Sequence, residues 1–455
     1  MTLDMTKGRP TRLLLRFALP LMLSFMLQQL YTMCDSMIVG QLLGSEAFAA
    51  IGSSAYLNWF PLSMLIGLTQ GFGVVLGQRF GAKDHEGFRR AFAMSTLLAL
   101  AVSLLQTGVG VGLLYPFLHM LKTPTELMEH TAAYLRVLWL GLALSGFYNV
   151  LATALRALGD SRTPFVALVI STVVNIALDY LFLAAFHMGV EGAALATLLS
   201  QALATLLCLR GIRRVNDATP RKGEWRLHRA TLRELLRLGL PPLLSFSVVS
   251  IGELVVQAAI NLCGVVFVTG VTAARRYFSL LNIIGSALEG ALATFVAQNT
   301  GARESQRILT GTRIAVLLGL GASVLTSVLV FVFAKPLILL FVPQGGAEIV
   351  RIGVEALRIE TFFLWALYML CLYRAAIQGM GNALIPMLSG FLELALRLVC
   401  VWLMPRLIGR SGLYFTDAFA WVLTAFMLIA AYLRMSKRLR ADAQGERALP
   451  PKPSV

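Results

Sequence analysis

The chain has 455 residues, of which 57% are hydrophobic and only 14% are charged, and its mean hydropathy is +0.75. Soluble domains have about 45–50% apolar and about 25% charged residues, so these values exclude a soluble enzyme and a disordered chain. The apolar residues are spread over the whole length, which also excludes a soluble domain with one membrane anchor. The formal net charge of +16 is typical of basic cytoplasmic loops in a membrane protein, and no nucleic-acid partner is expected.

Twelve membrane-spanning helices are predicted, because a helix crosses a bilayer with about 20 apolar residues. The unbroken apolar runs favour an all-α polytopic membrane protein over an outer-membrane barrel, whose strands alternate apolar and polar residues. Polar residues 1–12 lead directly into the first run, so no cleaved signal peptide is expected. The predicted spans are 13–38, 50–77, 90–114, 129–154, 163–185, 190–210, 240–265, 275–298, 309–333, 352–377, 386–404 and 412–435.

Positively charged residues set the expected orientation. Twelve crossings place both termini on one side, and the ends and loops of that side contain 28 of the 39 Lys and Arg residues. The opposite loops and helix ends contain seven. Because cytoplasmic loops are enriched in Lys and Arg, both termini are predicted to lie in the cytoplasm, with the chain in the cell (inner) membrane.

Three short motifs recur at offsets of 220 to 222 residues, each at the same place in the helix order. Each half has six predicted spans, so both halves share one orientation, and the chain is predicted to be a parallel repeat. Substrate sites of such transporters lie between the halves. The recurring pairs are Arg16–Pro20 with Arg237–Pro241, Gln78–Lys83 with Gln298–Arg303, and Gly159–Pro164 with Gly381–Pro386. The predicted domains are an N-terminal six-helix lobe (1–210), a basic cytoplasmic linker (211–237), a C-terminal six-helix lobe (238–436) and a cytoplasmic tail (437–455).

Polar residues follow one face of the first predicted span. Gln28, Tyr31 and Asp35 are spaced i, i+3 and i+7, which places them within an arc of about 60°. An ionisable group inside a span is costly and therefore indicates function. Pro20, fifteen residues before Asp35, removes a backbone hydrogen bond and predicts a kink that acts as a hinge.

The fifth and sixth spans contain further polar residues at the predicted depth of Asp35. These are Asn175 and Asp179, spaced i, i+4, and Thr197. Two carboxylates in a poorly hydrated cavity cannot both stay ionised at low cost. Either they take up a proton, or a monovalent cation keeps both ionised while Asn175 and Thr197 complete a hard-oxygen site. The alternative is a structural role as hydrogen-bonding groups between helices.

The C-terminal half differs from the N-terminal half, because the overlay places Val256 where the first half has Asp35. Glu253 and Gln257 share one face of the seventh span and are candidates for a cleft that attracts cations. Two structural ion pairs are also expected, Glu393 with Arg397 and Glu289 with Arg374.

Seven motifs together carry a family resemblance: Gln28-x-x-Tyr31-x-x-x-Asp35-Ser-Met-Ile-Val-Gly40, Leu43-Gly44-x-Glu46-Ala47, Gly77-Gln78 with Gly81-Ala82, Leu158-Gly159-Asp160, Asn175-x-x-x-Asp179, Gln298-Asn299-x-Gly301-Ala302 and Gln378-Gly379-Met380-Gly381. Each motif is short and weak, but their order, spacing and twelve-span context are specific. Over nearly its whole length the chain resembles the multidrug and toxic compound extrusion (MATE) transporters.

The resemblance implies a two-lobe antiporter that expels organic cations, using a proton or sodium gradient and no other cofactor. Small organic molecules and membrane lipids are the implied partners, and a monomer is expected. The family's coupling site maps onto Asp35, Asn175, Asp179 and Thr197, which would also be the metal ligands if sodium is used, with Tyr31 and Asn149 as network neighbours. The acids of the first lobe resemble the DinF-like branch rather than the NorM-like branch, whose members carry acids in helices 7 and 10.

Two other functions, a lipid flippase and an intramembrane enzyme, are alternatives to the antiporter. Flippases for lipid-linked saccharides share the superfamily fold, but they present a cationic cleft and often have extra helices, whereas the candidate cleft charges here are acidic. An intramembrane enzyme would need a catalytic motif, and the chain contains neither His-Glu-x-x-His nor Asp-Asp-x-x-Asp. The sequence therefore predicts a transporter and not an enzyme.

Overall fold

The structure is a computed structural model that describes residues 3–121, 123–342 and 346–443. Every regular element in these ranges is helical. The α-helices in chain order are α1 (Pro10–Leu43), α2 (Ser45–Gly81), α3 (His85–Gly112), α4 (Leu114–Met120), α5 (Thr125–Leu140), α6 (Leu142–Ala157), α7 (Arg162–Asp179), α8 (Val190–Arg213), α9 (Arg229–Asn261), α10 (Val265–Gly301), α11 (Ser305–Phe341), α12 (Ala347–Phe362), α13 (Leu364–Gly379), α14 (Leu384–Ile408) and α15 (Phe415–Ala443). A π-helical segment, Tyr180–Ala185, continues α7, and 3-10 helices span Lys222–Trp225 and Gly409–Tyr414.

These helices account for the twelve predicted crossings within the described part of the chain. Helices α5 and α6 form one crossing bent by 48°, and α12 and α13 form another bent by 42°. The apolar stretch Leu384–Ala441 has 58 residues. At about 1.5 Å per residue it would measure roughly 87 Å as one helix, so it contains two crossings, α14 and α15. Helix α4 has only seven residues, and each remaining helix is long and apolar enough to cross alone.

Several helices extend well beyond the predicted spans. Helices α2 and α10 each contain 37 residues. That corresponds to roughly 55 Å, against a hydrocarbon core of about 30 Å. Because α10 begins at Val265, the predicted position of Arg275 at a helix end is wrong, and this arginine lies inside the helix. Apolar length alone did not place this helix start, because Arg275 and Arg276 interrupt the apolar run that begins at Val265.

One compact unit contains Leu23–Phe80 and Asp84–Leu243. Residues 211–237, predicted as a linker, pack within this unit. The guanidinium group of Arg89, on α3, donates to Glu224 at 2.8 Å, and that of Arg79, at the end of α2, donates to Glu234 at 2.7 Å. The side chains of Arg89 and Glu224 are only 7% and 10% exposed. These ion pairs hold the segment against the ends of α2 and α3.

The second compact unit contains Asp4–Met22, Gly81–Lys83 and the chain from Leu244 onwards. The backbone N–H of Met5 donates to Oε1 of Gln298 at 2.9 Å, and the Met5 carbonyl accepts from Asn299 at 3.2 Å and from Arg307 at 3.0 Å. The Met5 side chain is fully buried. The segment before α1 therefore packs with the second half of the chain. Compared with the predicted lobe 1–210, the first compact unit lacks residues 4–22 and 81–83 and additionally contains residues 211–243.

The recurring motifs adopt matching backbone conformations. Gly159 and Gly381, which follow α6 and α13, have φ values of 81° and 85°. Glycine suits both positions because a Cβ atom would be strained in this left-handed region. Lys83 and Arg303, which follow α2 and α10, both have φ of 60°. The sequence repeat is thus also a repeat of helix ends.

The structure does not describe residues 1–2, Lys122, residues 343–345 or residues 444–455. The predicted tail, 437–455, is consequently described only as far as residue 443, where α15 ends.

Candidate functional site

Helix α1 directs Tyr31 and Asp35 into the first compact unit. Asp35 is only 7% exposed, whereas Met33 and Met37, on other faces of the helix, are 48% and 57% exposed. The hydroxyl groups of Thr32 and Ser36 donate to carbonyls one turn earlier in the same helix. Gln28 is exposed. The predicted polar face is therefore buried at its Asp35 end and open at its Gln28 end.

Helix α7 brings Asn175 and Asp179 to the same region, and both are fully buried. Asp179 is the last α-helical residue before the π-helical segment Tyr180–Ala185. A π-helical turn changes the backbone hydrogen-bonding pattern and often occurs at functional sites. The spacing of Asn175 and Asp179 is visible in the sequence, but the π-helical turn has no signal there that we recognise.

The polar side chains of α1, α5, α7 and α8 meet in one cluster. The hydroxyl groups of Tyr31 and Thr197 lie 3.2 Å apart and join α1 to α8. The carboxyl groups of Asp35 and Asp179 are close enough to interact electrostatically, but their geometry does not meet the usual criteria for a hydrogen bond. Tyr134, on α5, is 7% exposed and lies close to both aspartates. We define the coupling cluster as Tyr31, Asp35, Tyr134, Asn175, Asp179 and Thr197.

Several buried polar atoms of the coupling cluster have no hydrogen-bond partner among the described residues. They are Oδ1 of Asp35, both carboxylate oxygens of Asp179, and both amide atoms of Asn175. Buried polar groups are nearly always hydrogen-bonded, because an unpaired one loses its interaction with water without compensation. A proton, a water molecule or a monovalent cation would satisfy the oxygen atoms, whereas the Asn175 amide nitrogen is a donor and needs an acceptor such as a water molecule. The described residues contain no group of three or more His, Cys, Asp or Glu residues able to hold a metal ion.

An apolar layer lies beside the coupling cluster. It contains Ile38 and Val39 from α1, Ile51 from α2, and Val190 and Ala193 from α8, all of them buried. These residues lie at the helix ends predicted to face outwards. Such a layer keeps water away from the carboxyl groups on that side, so any exchange of protons or cations requires another path or a movement of the helices.

Pro20 lies inside α1 and is buried. The boundary between the compact units falls between Met22 and Leu23, two residues after this proline. Its counterpart in the repeat, Pro241, also lies inside a helix, α9. The hinge function of Pro20 stays a prediction.

The second compact unit contains a network of charged residues. Arg397 donates to Asp417 at 2.8 Å, and Arg275 donates to the second carboxylate oxygen of Asp417 at 3.1 Å. Arg275 also lies 3.9 Å from Glu360, which is 5% exposed and has one oxygen without a partner among the described residues. Arg397 lies 3.8 Å from Glu393, as the sequence predicts. Asp417 and Glu360 were not identified from the sequence, since their partners lie on distant helices.

The other residues predicted to be important in the second half are each found near an oppositely charged or polar partner. Arg374 forms its ion pair with Glu393 on α14, whereas Glu289, the partner expected from the sequence, lies near Arg374 without forming an ion pair. Glu253 is exposed on α9 and lies close to Arg397. The carbonyl oxygen of the Gln257 side chain accepts from Arg275 at 3.3 Å.

Asn149 has its own partner outside the coupling cluster. Its amide group donates to the Ser145 carbonyl at 2.9 Å, one turn earlier in α6. The Ser145 hydroxyl in turn donates to Gln201 at 2.9 Å. A network role for Asn149 beside Asp35 therefore stays a prediction that this geometry does not support.

Comparison with known proteins agrees with the repeated architecture. The MatE family model matches residues 20–181 and again residues 241–403, so the two matches begin 221 residues apart. A solved structure described as MATE in the bent conformation superposes with a TM-score of 0.90 at 23% identity, covering 97% of this chain and 98% of that chain. The fold of twelve membrane-spanning helices in two repeated lobes is thereby confirmed.

Three curated relatives are similar in sequence. The probable multidrug resistance protein YpnP of Bacillus subtilis is 30% identical over 79% of this chain and 80% of its own length. The probable multidrug resistance protein NorM of Thermotoga maritima is 27% identical, over 84% and 82% of the two chains. The DNA damage-inducible protein F of Escherichia coli is 26% identical, over 66% and 65%.

Proposed function

Because the chain belongs to the MATE family of multidrug efflux transporters, which are membrane proteins and not enzymes, we propose that it exports organic cations in exchange for protons or sodium ions. The observation that carries this proposal is the coupling cluster. Two buried carboxyl groups on different helices face each other, and three of their oxygens have no hydrogen-bond partner among the described residues. The free energy of such a site depends on whether a cation is bound, as an ion-coupled transporter requires.

Coupling follows from competition between the cation and the substrate. If each favours a different state of the protein, each lowers the affinity for the other by the same factor. In the proposed cycle Asp35 and Asp179 share the coupling cation, with Asn175 and Thr197 as further oxygen ligands if it is sodium. Loss of the cation leaves two adjacent negative charges in a poorly hydrated site, and their repulsion favours a shift of α1 relative to α7. Pro20 is the proposed point of bending.

The proposed substrates are amphipathic organic cations. Glu253 is exposed on α9, and we propose that it faces the substrate cleft, where an acid at low dielectric constant would attract a positively charged molecule strongly. The names of YpnP and NorM describe them as probable multidrug resistance proteins, which supports a broad substrate range here. The acids of the first lobe favour the DinF-like branch, and the relative DNA damage-inducible protein F is consistent with it. We further propose alternating access between the two lobes of a monomer in the inner membrane, with both termini in the cytoplasm.

The test is transport in proteoliposomes with an imposed pH or sodium gradient, each applied separately to the wild type and to Asp35→Asn. The variant removes a buried charge at constant shape, so it is expected to insert normally and to lose gradient-driven efflux of ethidium almost completely. Substrate binding in the variant is expected to lose its dependence on pH or sodium. Glu348→Gln serves as the matched control, since it makes the same carboxyl-to-amide change at an exposed position outside the coupling cluster, and it is expected to retain efflux.

Normal efflux in both Asp35→Asn and Asp179→Asn would refute the shared site. Loss in only one of them would reduce the site to a single carboxyl group. Absence of ethidium transport together with binding of a lipid-linked saccharide would instead identify the chain as a flippase.

A further inference from the structure

A cavity of about 710 Å³ lies in the first compact unit, between the start of α7 and the end of α8. This volume is within the range of about 300–1,000 Å³ that is usual for ligand sites. The cavity lies at the membrane edge, on the side predicted to be cytoplasmic, and far along α7 from Asp179. Its principal lining residues are Arg162, Val166, Ile170, Leu207, Arg210 and Arg214.

The rim of the cavity is positively charged. Arg162, Arg210 and Arg214 are exposed, and none of their guanidinium groups forms an ion pair within the described part of the chain. Asp160 also lines the cavity, but its carboxylate accepts hydrogen bonds from the backbone N–H groups of Arg162 and Thr163, both at 3.0 Å, and from the Thr163 hydroxyl at 2.6 Å. These hydrogen bonds hold the carboxylate at the start of α7, and the three arginines leave the rim with a net positive charge.

Other acids near this end of the unit are already paired. Asp217 lies 3.8 Å from Arg89 and 3.6 Å from Arg221. Glu224 accepts from Arg89 at 2.8 Å. These contacts leave the three rim arginines available for an anion from outside the protein.

The wall of the cavity below the rim is apolar, and its side chains face away from the protein interior. Arg162, Val166 and Ile170 are four residues apart and follow one face of α7. Val166 is 51% exposed and Ile170 is 39% exposed. On α8, Leu207, Arg210 and Arg214 are spaced i, i+3 and i+7 and therefore share one face. On both helices the arginines lie nearer to the predicted cytoplasmic end than the apolar residues do.

A charged rim at the membrane edge with an apolar groove leading into the membrane matches the chemistry of one kind of molecule. We propose that this cavity binds an anionic phospholipid, with the phosphate group at Arg162, Arg210 and Arg214 and one acyl chain along Val166 and Ile170. Basic pockets between helices on the cytoplasmic side are suited to anionic head groups. A soluble phosphate compound would use only the rim, and the apolar groove would remain in contact with bulk lipid. The site is independent of the coupling cluster and of the proposed transport reaction.

Binding is tested by native mass spectrometry of the purified protein with phosphatidylglycerol or phosphatidylcholine. One phosphatidylglycerol molecule is expected to bind more tightly than phosphatidylcholine. The double variant Arg210→Gln, Arg214→Gln is expected to weaken phosphatidylglycerol binding about 25-fold, since each basic residue near an anionic head group contributes roughly a factor of five. The matched control is Arg213→Gln, Arg226→Gln, which removes the same charge at exposed positions that do not line the cavity, and it is expected to change binding less than about threefold.

Equal weakening by both double variants would show a general charge effect and overturn the site. Equal affinity of the wild type for the two lipids would overturn it without any variant. Thermal stability separates the lipid from a soluble anion, because a bound ligand raises the melting temperature. Phosphatidylglycerol is expected to raise the melting temperature of the wild type, while inorganic phosphate at the same concentration is not. An equal rise with inorganic phosphate would assign the rim to a soluble anion and refute the lipid.

Discussion

Asp417 lies at the start of α15 and interacts with two arginines from different helices. Arg397, on α14, donates to one carboxylate oxygen at 2.8 Å, and Arg275, on α10, donates to the other at 3.1 Å. Arg397 is 3% exposed, so its charge has little access to water. Without the Asp417 charge, the only ion pair that Arg397 keeps among the described residues is the longer one with Glu393, at 3.8 Å, so a buried guanidinium group loses its hydrogen-bonded ion pair.

Replacement of Asp417 by Asn is therefore expected to destabilise the protein by about 1.5–3 kcal/mol. Melting of the purified protein in detergent measures the effect, and a fall of several degrees in the melting temperature is expected. The control is Glu348→Gln. Its partner, Arg410, is 2.6 Å away, but the two side chains are 54% and 48% exposed. An exposed pair contributes about 0–1 kcal/mol, so the control should melt close to the wild type. Equal melting temperatures for the two variants would contradict the structural role of Asp417.

Helix α2 packs closely against the first part of α9 through small residues. A Cβ atom on Gly67 would lie 2.8 Å from the Pro242 carbonyl oxygen, and one on Gly71 would lie 2.1 Å from that of Leu238. Gly67 and Gly71 are four residues apart and therefore lie on one face of α2. Close backbone approach at such small-residue pairs is a common basis of helix packing in membranes.

Gly71→Ala is expected to destabilise the protein by about 1–3 kcal/mol, since backbone atoms of α9 must move. The matched control is Gly52→Ala in the same helix, where an added Cβ atom meets no atom within 4 Å. Alanine is favoured over glycine in a helix by about 0.5–1 kcal/mol, so this control should be neutral or stabilising. Gly71→Ala is thus expected to lower the melting temperature, whereas Gly52→Ala should leave it unchanged or raise it. A stabilising Gly71→Ala would mean that the two helices do not approach as closely as described.

At the scale of the whole molecule, charge asymmetry and repeat order predict how the chain crosses the membrane. Both halves contain six crossings, and 28 of the 39 Lys and Arg residues belong to one side. The structure places Arg275 inside α10, where it pairs with Asp417. Because α10 is longer than the bilayer core, this placement leaves the predicted charge asymmetry unchanged.

Reporter insertions test this orientation. A reporter after Lys437 and one at Gly223, where the surroundings are open, are both expected to be cytoplasmic. One at Gly189, in the short connection before α8, is expected on the opposite side. A reporter at Gly223 that is located outside the cell would contradict the predicted orientation and the assignment of the lipid site to the cytoplasmic side.

The coupling cluster was partly predictable because helical periodicity is a local property. Asp35 with Tyr31, and Asn175 with Asp179, share helix faces, and matching depth brought Thr197 into the same group. Tyr134 was missed because a single tyrosine in an apolar span has no periodic polar partner. Gln28 has the right spacing but is exposed, since the buried part of that face ends near Tyr31.

The sequence by itself determined the membrane class, the twelve crossings, the repeat and the polar faces of single helices. Each of these depends on composition or spacing within about 20 residues, where the transfer of apolar side chains out of water dominates. Only the tertiary structure decided which distant groups meet. Arg275 and Asp417 are 142 residues apart, and Met5 and Gln298 are 293 apart. Such pairs depend on how whole helices pack, because a buried charge or backbone group takes whichever partner the packing brings within hydrogen-bonding distance.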